Sequence, residues 1–198
     1  MPLNALPPGH VGAVVTSLEM TRRRSAPPLP ASPLRLELWD EVDLPRYRAL
    51  FRKVGARWLW YSRLAMSDAE LRGALGEVHA VLQSGADEVG LIELERRRPG
   101  TCRIRFLGLI PELTGCGHGS WLIGRALELA WRNGVERVDL FTCSLDHPAA
   151  MPAYLRAGFT AASRSFESFP DPRLAGLLPR DCAPQIPLVE GESLSQPR

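Results

Sequence analysis

A predicted buried strand leads into a predicted helix through Leu109-Ile-Pro-Glu-Leu-Thr-Gly-Cys-Gly-His-Gly-Ser-Trp-Leu122. The strand is the apolar run from Ile104 to Ile110, and apolar residues at helical spacing predict the helix from His118 to Asn133. The junction between them carries three alternate glycines: Gly115, Gly117 and Gly119. Glycines let a ligand approach the backbone closely, and the unpaired N–H groups at the start of a helix attract anions. The junction therefore predicts a phosphate-binding site.

The chain has 198 residues, four cysteines and a formal net charge of +2. This length predicts one domain of about 150 residues with extensions. The small net charge, without a Lys/Arg stripe interleaved with aromatic residues, argues against nucleic acid as a partner. The sequence has neither a run of about 18 apolar residues nor a recognisable secretory signal, so we expect no membrane partner and a cytoplasmic location. The wide spacing of the cysteines predicts reduced thiols and no metal site.

Hydrophobic periodicity and turn residues predict the order strand, helix, helix, three strands, helix, strand, helix, strand for residues 34–167. Short turns join the three middle strands, which are therefore antiparallel, whereas the strands on either side of the long helix are parallel neighbours. This order predicts an α/β fold with a mixed sheet. Residues 1–33 are predicted as an N-terminal strand, Val11 to Met20, followed by a Pro/Arg-rich linker with little that could pack. Residues 168–198 are predicted as a Pro-rich tail.

A second informative segment, Asp146-His-Pro-Ala-Ala-Met-Pro-Ala-Tyr-Leu-Arg-Ala-Gly-Phe159, lies one helix and one strand downstream of the glycine junction. The two segments together resemble the GNAT superfamily of N-acetyltransferases over roughly residues 34–167. The family motif Gln/Arg-x-x-Gly-x-Gly/Ala, which cradles the pyrophosphate of acetyl-CoA, is matched here from Thr114 to Gly119. A later family signature, Asn-x-x-Ala-x-x-x-Tyr-x-x-x-Gly-Phe, is matched by His147, Ala150, Tyr154, Gly158 and Phe159.

This resemblance implies a mixed, mostly antiparallel sheet with helices on both faces, whose central parallel strand pair is splayed at the cofactor site. It implies acetyl-CoA as the cofactor and transfer of its acetyl group to a primary amine of a small molecule or a peptide by direct attack. The residues that the resemblance assigns to coenzyme binding are Leu109, Ile110, Thr114, Gly115, Cys116, Gly117, His118, Gly119, Ser120, His147 and Tyr154.

Attack of an amine on a thioester calls for a base or a water relay, a donor to the developing oxyanion and an acid for the leaving thiolate. The resemblance implies Tyr154 as the acid and a backbone N–H near Leu109 or Ile110 as the oxyanion donor. Glu93, in an apolar strand, is the candidate base if it faces the cleft; otherwise it faces solvent or an arginine. Asp146 either steers the amine or caps the helix that follows it.

Trp58 and Trp60 are the candidate wall of the acceptor site, or alternatively core residues, and Arg63 suits an acceptor that carries a carboxylate. The N-terminal strand and the tail are candidate contacts of a homodimer. Thr114 and His147 replace the Gln/Arg and Asn of the family patterns, and these departures leave a second hypothesis, a non-catalytic sensor that binds acyl-CoA. A dinucleotide site fits poorly with antiparallel strands before the glycines, and a nucleotide P-loop is excluded because the chain lacks Gly-Lys-Ser/Thr.

Overall fold

The computed structural model describes residues 5–23, 28–132 and 134–190, so parts of the predicted linker and tail, and Asn133 in the long helix, lie outside the described residues. The strands in chain order are β1 (His10–Met20), β2 (Arg35–Leu38), β3 (Glu77–Leu82), β4 (Glu88–Arg98), β5 (Thr101–Leu109), β6 (Arg137–Cys143) and β7 (Thr160–Pro170). The α-helices are α1 (Leu44–Gly55), α2 (Asp68–Ala74), α3 (His118–Ala130) and α4 (Ala150–Ala157). None of the described helices has the length and hydropathy needed to span a bilayer.

The strands form one mixed sheet in the order β2-β3-β4-β5-β6-β1-β7. Strands β5 and β6, joined through α3, pair in parallel, and the other neighbouring strands pair antiparallel. Helix α1 packs against β4 and β5, and α3 packs against β5. The predicted α/β fold is therefore confirmed, including its central parallel pair.

Local sequence signals set most of the helix ends. The carboxylate of Asp43 accepts the N–H of Arg46 at 2.8 Å and caps α1, and Ser67 with Glu70 forms the predicted capping box of α2. The end of α3 differs from the prediction, because the helix stops at Ala130 and not near Asn133. The guanidinium of Arg96 donates to the last carbonyls of α3 and satisfies them at this earlier point.

A bulge in β5 opens the sheet. Glu93 pairs with Phe106 and Leu94 pairs with Ile104, so Arg105 is the extra residue on β5. A bulge bends its strand and turns the following side chains to the other face. The pairing of β5 with β6 also ends at Ile104, opposite Leu140, and the two strands separate beyond that point. The predicted splay of the parallel pair thus follows from one extra residue in β5.

Strand β1 lies inside the sheet, with β6 on one edge and β7 on the other. Residues 15–20 of β1 pair with β6, and residues 10–19 pair with β7. Its Leu18 is fully buried in the same core as residues of β4, β5 and α3. The segment after β1 also packs, contrary to the prediction: Leu29 lies against Gly124 of α3, and the hydroxyl of Ser32 lies 3.2 Å from Nδ1 of His118.

Candidate active site

A cleft of about 810 Å³ opens where β5 and β6 separate. Its walls come from both strands, the glycine junction, α4, β7 and the segment 58–62 that follows α1. The predicted site residues that line it are Trp58, Trp60, Leu109, Thr114, Gly115, Gly117, Gly119, Ser120, His147 and Tyr154. Five predicted residues do not line it: Arg63, Glu93, Ile110, Cys116 and His118.

The start of α3 opens onto this cleft. Gly117 precedes the helix in the left-handed conformation, with a φ of 84°, and makes no side-chain cap. Within the described part of the chain, the N–H groups of residues 117–120 have no protein acceptor. A methyl group added at Gly115, Gly117 or Gly119 would meet no atom within 4 Å. The mouth of the helix is therefore open, and its unpaired N–H groups and positive dipole end suit an anion.

The exposed edge of β5 supplies a further donor. The N–H of Ile110 donates to the carbonyl of Val89 at 2.8 Å and is used within the sheet. Because successive N–H groups of a strand point to opposite edges, the N–H of Leu109 points away from β4, into the opening left by β6. Of the two predicted oxyanion donors, the N–H of Leu109 is free to donate into the cleft, whereas the N–H of Ile110 is already bonded within the sheet.

Tyr154 lines the cleft from α4, and its ring packs edge-on against Phe159 with the centroids 6.0 Å apart. Its hydroxyl makes no hydrogen bond with any described residue. Burial, followed by the charge of Asp146, raises the pKa of the Tyr154 hydroxyl well above its usual range. The hydroxyl is therefore protonated at neutral pH and can donate a proton into the cleft.

Residues 36–159 match the model of the acetyltransferase (GNAT) family, which is more than half of the chain. The chain belongs to the GNAT acetyltransferase family. No curated protein matches the sequence.

Solved structures of GNAT proteins share the fold. The chain is 18% identical to a GCN5-related N-acetyltransferase from Sphaerobacter thermophilus, with a TM-score of 0.55 over 82% of this chain and 52% of that one. It therefore spans about half of that structure's length. A GNAT-family acetyltransferase from Novosphingobium aromaticivorans gives 17% identity and a TM-score of 0.56 over 84% and 69% of the two chains. Spermidine N-acetyltransferase from Vibrio cholerae, solved with CoA and spermine, gives 21% and 0.53 over 67% and 84%.

In this GNAT chain, Asp146 lines the cleft and does not cap α4. One carboxylate oxygen accepts the hydroxyl of Thr142 and the N–H of Cys143, both at 2.8 Å, and the other accepts the indole N–H of Trp60 at 3.5 Å. The N–H near the start of α4 is taken by Nδ1 of His147, which accepts it from Ala149 at 3.0 Å. Asp146 is thus held rigidly at the end of β6, facing the cleft.

Glu93 faces an arginine, which is one of the alternatives left open for it, and that arginine is Arg63, the residue expected to bind an acceptor carboxylate. Both are buried, with an Arg63 nitrogen 2.5 Å from Glu93 and the hydroxyl of Tyr47 donating to the same carboxylate at 2.5 Å. Arg63 also donates to the carbonyl of Ala74 at 3.1 Å. Burial and the charge of Glu93 raise the pKa of Tyr47 far above its usual range. Because the two charges satisfy each other away from the cleft, the geometry gives neither residue a role with substrate.

The two tryptophans occupy different positions. Trp60 packs against the rings of Phe51 and Phe106, with centroid distances of 5.6 and 5.2 Å, and so belongs to the core as well as to the cleft wall. Trp58 lies edge-on to His147 at the rim, 5.3 Å between centroids. The tail supports this wall, since the amide of Gln185 donates to the carbonyl preceding Trp58 at 2.6 Å. Trp60 therefore fits both alternatives, the core and the cleft wall, whereas Trp58 fits the cleft wall.

Cys143 lines the cleft but is not activated. Burial, followed by the charge of Asp146, raises the pKa of its thiol to about 11. A thiol with this pKa is protonated at neutral pH and is a poor nucleophile. Glu167, which the sequence reasoning missed, lines the same cleft from β7. Glu167 reaches the cleft because β7 lies beside β1. The residues around it carry no local motif that predicts this pairing.

Proposed function

We propose that this chain is an acetyl-CoA-dependent N-acetyltransferase that transfers an acetyl group to a primary amine of a small molecule or a peptide by direct attack. One observation carries the proposal. The open mouth of α3, the unpaired edge of β5 and the hydroxyl of Tyr154 meet in a single cleft. This arrangement combines an anion site, an extended hydrogen-bonding edge and a proton donor.

The residues present fit the coenzyme. The unpaired N–H groups of residues 117–120 match a diphosphate, and the space beside the three glycines leaves room for it. The edge of β5 beyond Ile104 has the form of a strand awaiting a partner, which suits the amide groups of a pantetheine arm. Acetyl-CoA, when bound, supplies the activated thioester. The N–H groups at the start of α3 orient it, and Trp60 forms part of the cleft wall.

Leu109 and Tyr154 are the two donors that act on the reacting thioester, one on its oxygen and the other on its sulfur. The N–H of Leu109 donates to the oxygen on which negative charge develops, a contribution of about 10²–10³ in rate for one such donor. The hydroxyl of Tyr154 donates its proton to the leaving sulfur and recovers it from the reacting nitrogen through solvent, a contribution of about 10²–10⁴. The raised pKa of Tyr154 keeps that proton in place until charge develops on the sulfur.

The test measures coenzyme binding and turnover separately. Calorimetry with CoA is expected to show one site, and a panel of amines with acetyl-CoA is expected to release free thiol. Tyr154→Phe is expected to keep the CoA affinity while kcat falls about 10²-fold or more. Absence of CoA binding would refute the proposal. Binding of CoA without turnover of any amine would instead favour the acyl-CoA sensor, the alternative suggested by Thr114 and His147.

A further inference from the structure

We propose that the acceptor half of this cleft selects an amine with two positive charges, one held at Asp146 and the other at Glu167. This inference rests on the proposed acetyltransferase function and assigns the class of acceptor to the same site. The two carboxylates line the cleft from different strands, and the aromatic wall lies beside them. The acceptor amine binds in this cleft, and the two carboxylates determine which amine is selected.

The register of the sheet relates the two carboxylates to one row of residues that crosses three strands. Cys143, Val15 and Ser165 form one row across β6, β1 and β7. Asp146 follows Cys143 by three residues, and Glu167 follows Ser165 by two, on the same face of β7. Two strand spacings, about 10 Å, separate the backbones of Cys143 and Ser165 in this row. Asp146 lies in the turn after β6, where its N–H donates to the carbonyl of Cys143 at 3.1 Å, so it stays close to the Cys143 end of the row, and Glu167 lies near the Ser165 end.

The negative charge at this end of the cleft is not neutralised within the protein. Neither Asp146 nor Glu167 takes part in an ion pair among the described residues. The partners of Asp146 are an indole N–H, a hydroxyl and a backbone N–H, which are neutral donors. Of the arginines lining the cleft, Arg103 is paired with Asp139 at 2.6 Å and Arg105 lies 3.5 Å from Glu95, while Arg156 pairs with neither cleft carboxylate.

Aromatic side chains line the cleft beside the two carboxylates. Tyr61 stacks on Phe169 with the ring centroids 4.8 Å apart, and Trp60 lies on the Asp146 side. Burial raises the pKa of the Tyr61 hydroxyl, and the charge of Glu167 adds to this rise. Such rings accept an alkyl chain along their faces and attract the ammonium groups at its ends. A linear diamine therefore fits both the charges and the aromatic surface beside them.

The reacting end of the amine belongs at Asp146, where its ammonium releases one proton to solvent before the nitrogen attacks the thioester. Asp146 and Tyr154 both line the cleft, and the charge of Asp146 adds to the effect of burial in raising the pKa of the Tyr154 hydroxyl. Glu167 then holds the distal ammonium. Arg63, the residue expected to bind an acceptor carboxylate, is buried with Glu93. The acceptor half consequently repels a carboxylate at the position where it attracts a second ammonium.

The experiment compares three acceptors of matched length: diaminobutane, butylamine and aminobutyrate. We expect kcat/KM to be highest for diaminobutane and lowest for aminobutyrate, with about tenfold between diaminobutane and butylamine, as for one charge-assisted hydrogen bond. Glu167→Gln is expected to bring the ratio of diaminobutane to butylamine close to one, through KM for the diamine. Asp146→Asn is expected to raise KM for both amines. Glu112→Gln, an exposed carboxylate outside the cleft lining, is the matched control and keeps the wild-type ratio.

The outcomes separate this inference from the proposed function. Failure to bind CoA, or to release thiol with any amine, overturns the proposed function. Turnover of butylamine as efficiently as diaminobutane, by protein that binds CoA, overturns the inference alone. A preference for diaminobutane that survives Glu167→Gln also overturns it. Circular dichroism and thermal denaturation of each variant establish that it is folded; Glu167 is exposed on β7, which makes its replacement structurally mild.

Discussion

Gly119 offers a direct test of the anion site because protein stability and coenzyme binding should respond in opposite directions. The residue is the second of α3, it has no positive φ, and an added Cβ would meet no atom within 4 Å. Nothing in the protein itself therefore requires glycine at this position. Gly119→Glu places a helix-forming side chain and a negative charge in the first turn of a helix, beside the N–H groups proposed to bind the diphosphate.

The expected stabilisation can be estimated from helix energetics. Replacing glycine within a helix by glutamate gains about 0.5–1 kcal/mol of helix propensity, and an acidic side chain in the first turn adds about 0.3–1 kcal/mol. Together these raise Tm by several degrees in a chain of this size, since about 1 kcal/mol corresponds to about 2–4 °C. Thermal denaturation of the free protein measures this gain.

Coenzyme binding should weaken strongly in the same variant. Loss of two charge-assisted hydrogen bonds at about 1.5 kcal/mol each removes about 3 kcal/mol, and repulsion between the carboxylate and the diphosphate adds to this. The Kd for CoA, measured by calorimetry, is therefore expected to rise roughly a hundredfold or more. Gly119→Ala, which the family motif accepts, should change Kd only a few-fold.

The matched control is Gly73→Glu on α2, where an added Cβ also meets no atom within 4 Å and no residue of the helix lines the cleft. It adds the same charge and should leave the Kd for CoA unchanged. A Kd for Gly119→Glu within about threefold of wild type would show that the mouth of α3 does not hold the coenzyme. A large fall in Tm would show that the mouth is not open.

Three further variants or measurements test the fold and the site. Glu93→Gln is expected to cost about 3–5 kcal/mol in urea denaturation because Arg63 stays buried without its counter-charge; a loss below about 1 kcal/mol would contradict this account. Leu18→Ala is expected to cost about 2–5 kcal/mol in a single unfolding transition, since β1 shares the main core; a separate transition for β1 would argue against this. Alkylation of Cys143, followed by peptide mass spectrometry, should accelerate about tenfold per pH unit between pH 8 and 10 because its thiol ionises only near its pKa of about 11; a plateau near pH 8.5 would contradict the raised pKa.

The sequence predicted well those features that depend on neighbouring residues. The cap at Asp43, the capping box at Ser67 and the glycine junction before α3 each act over a few positions, so they are visible in a short window. The order of the elements, combined with short turns, was enough to give the parallel pair of β5 and β6. The open mouth of α3 follows from the same local signals.

Features that depend on distant residues could not be predicted. Alternation along β4 does not tell whether Glu93 faces solvent or an arginine, and its partner Arg63 lies 30 positions earlier in an irregular segment. No local sequence pattern predicts the bulge at Arg105, which turns the following side chains to the other face of the sheet. Glu167 enters the cleft only because β7 lies beside β1, a pairing between residues about 150 positions apart.

The position of β1 between β6 and β7 has a consequence for the time at which the protein can fold. Its partners β6 and β7 are synthesised more than a hundred residues later, so both edges of the nascent strand stay unpaired until then. At about 5–20 residues per second, synthesis from β1 to β7 takes roughly 7–30 s. During that interval a valine-rich segment, Val11 to Val15, is available to chaperones or to strands of other molecules. Slowing translation downstream of β1 should therefore lower the yield of native protein.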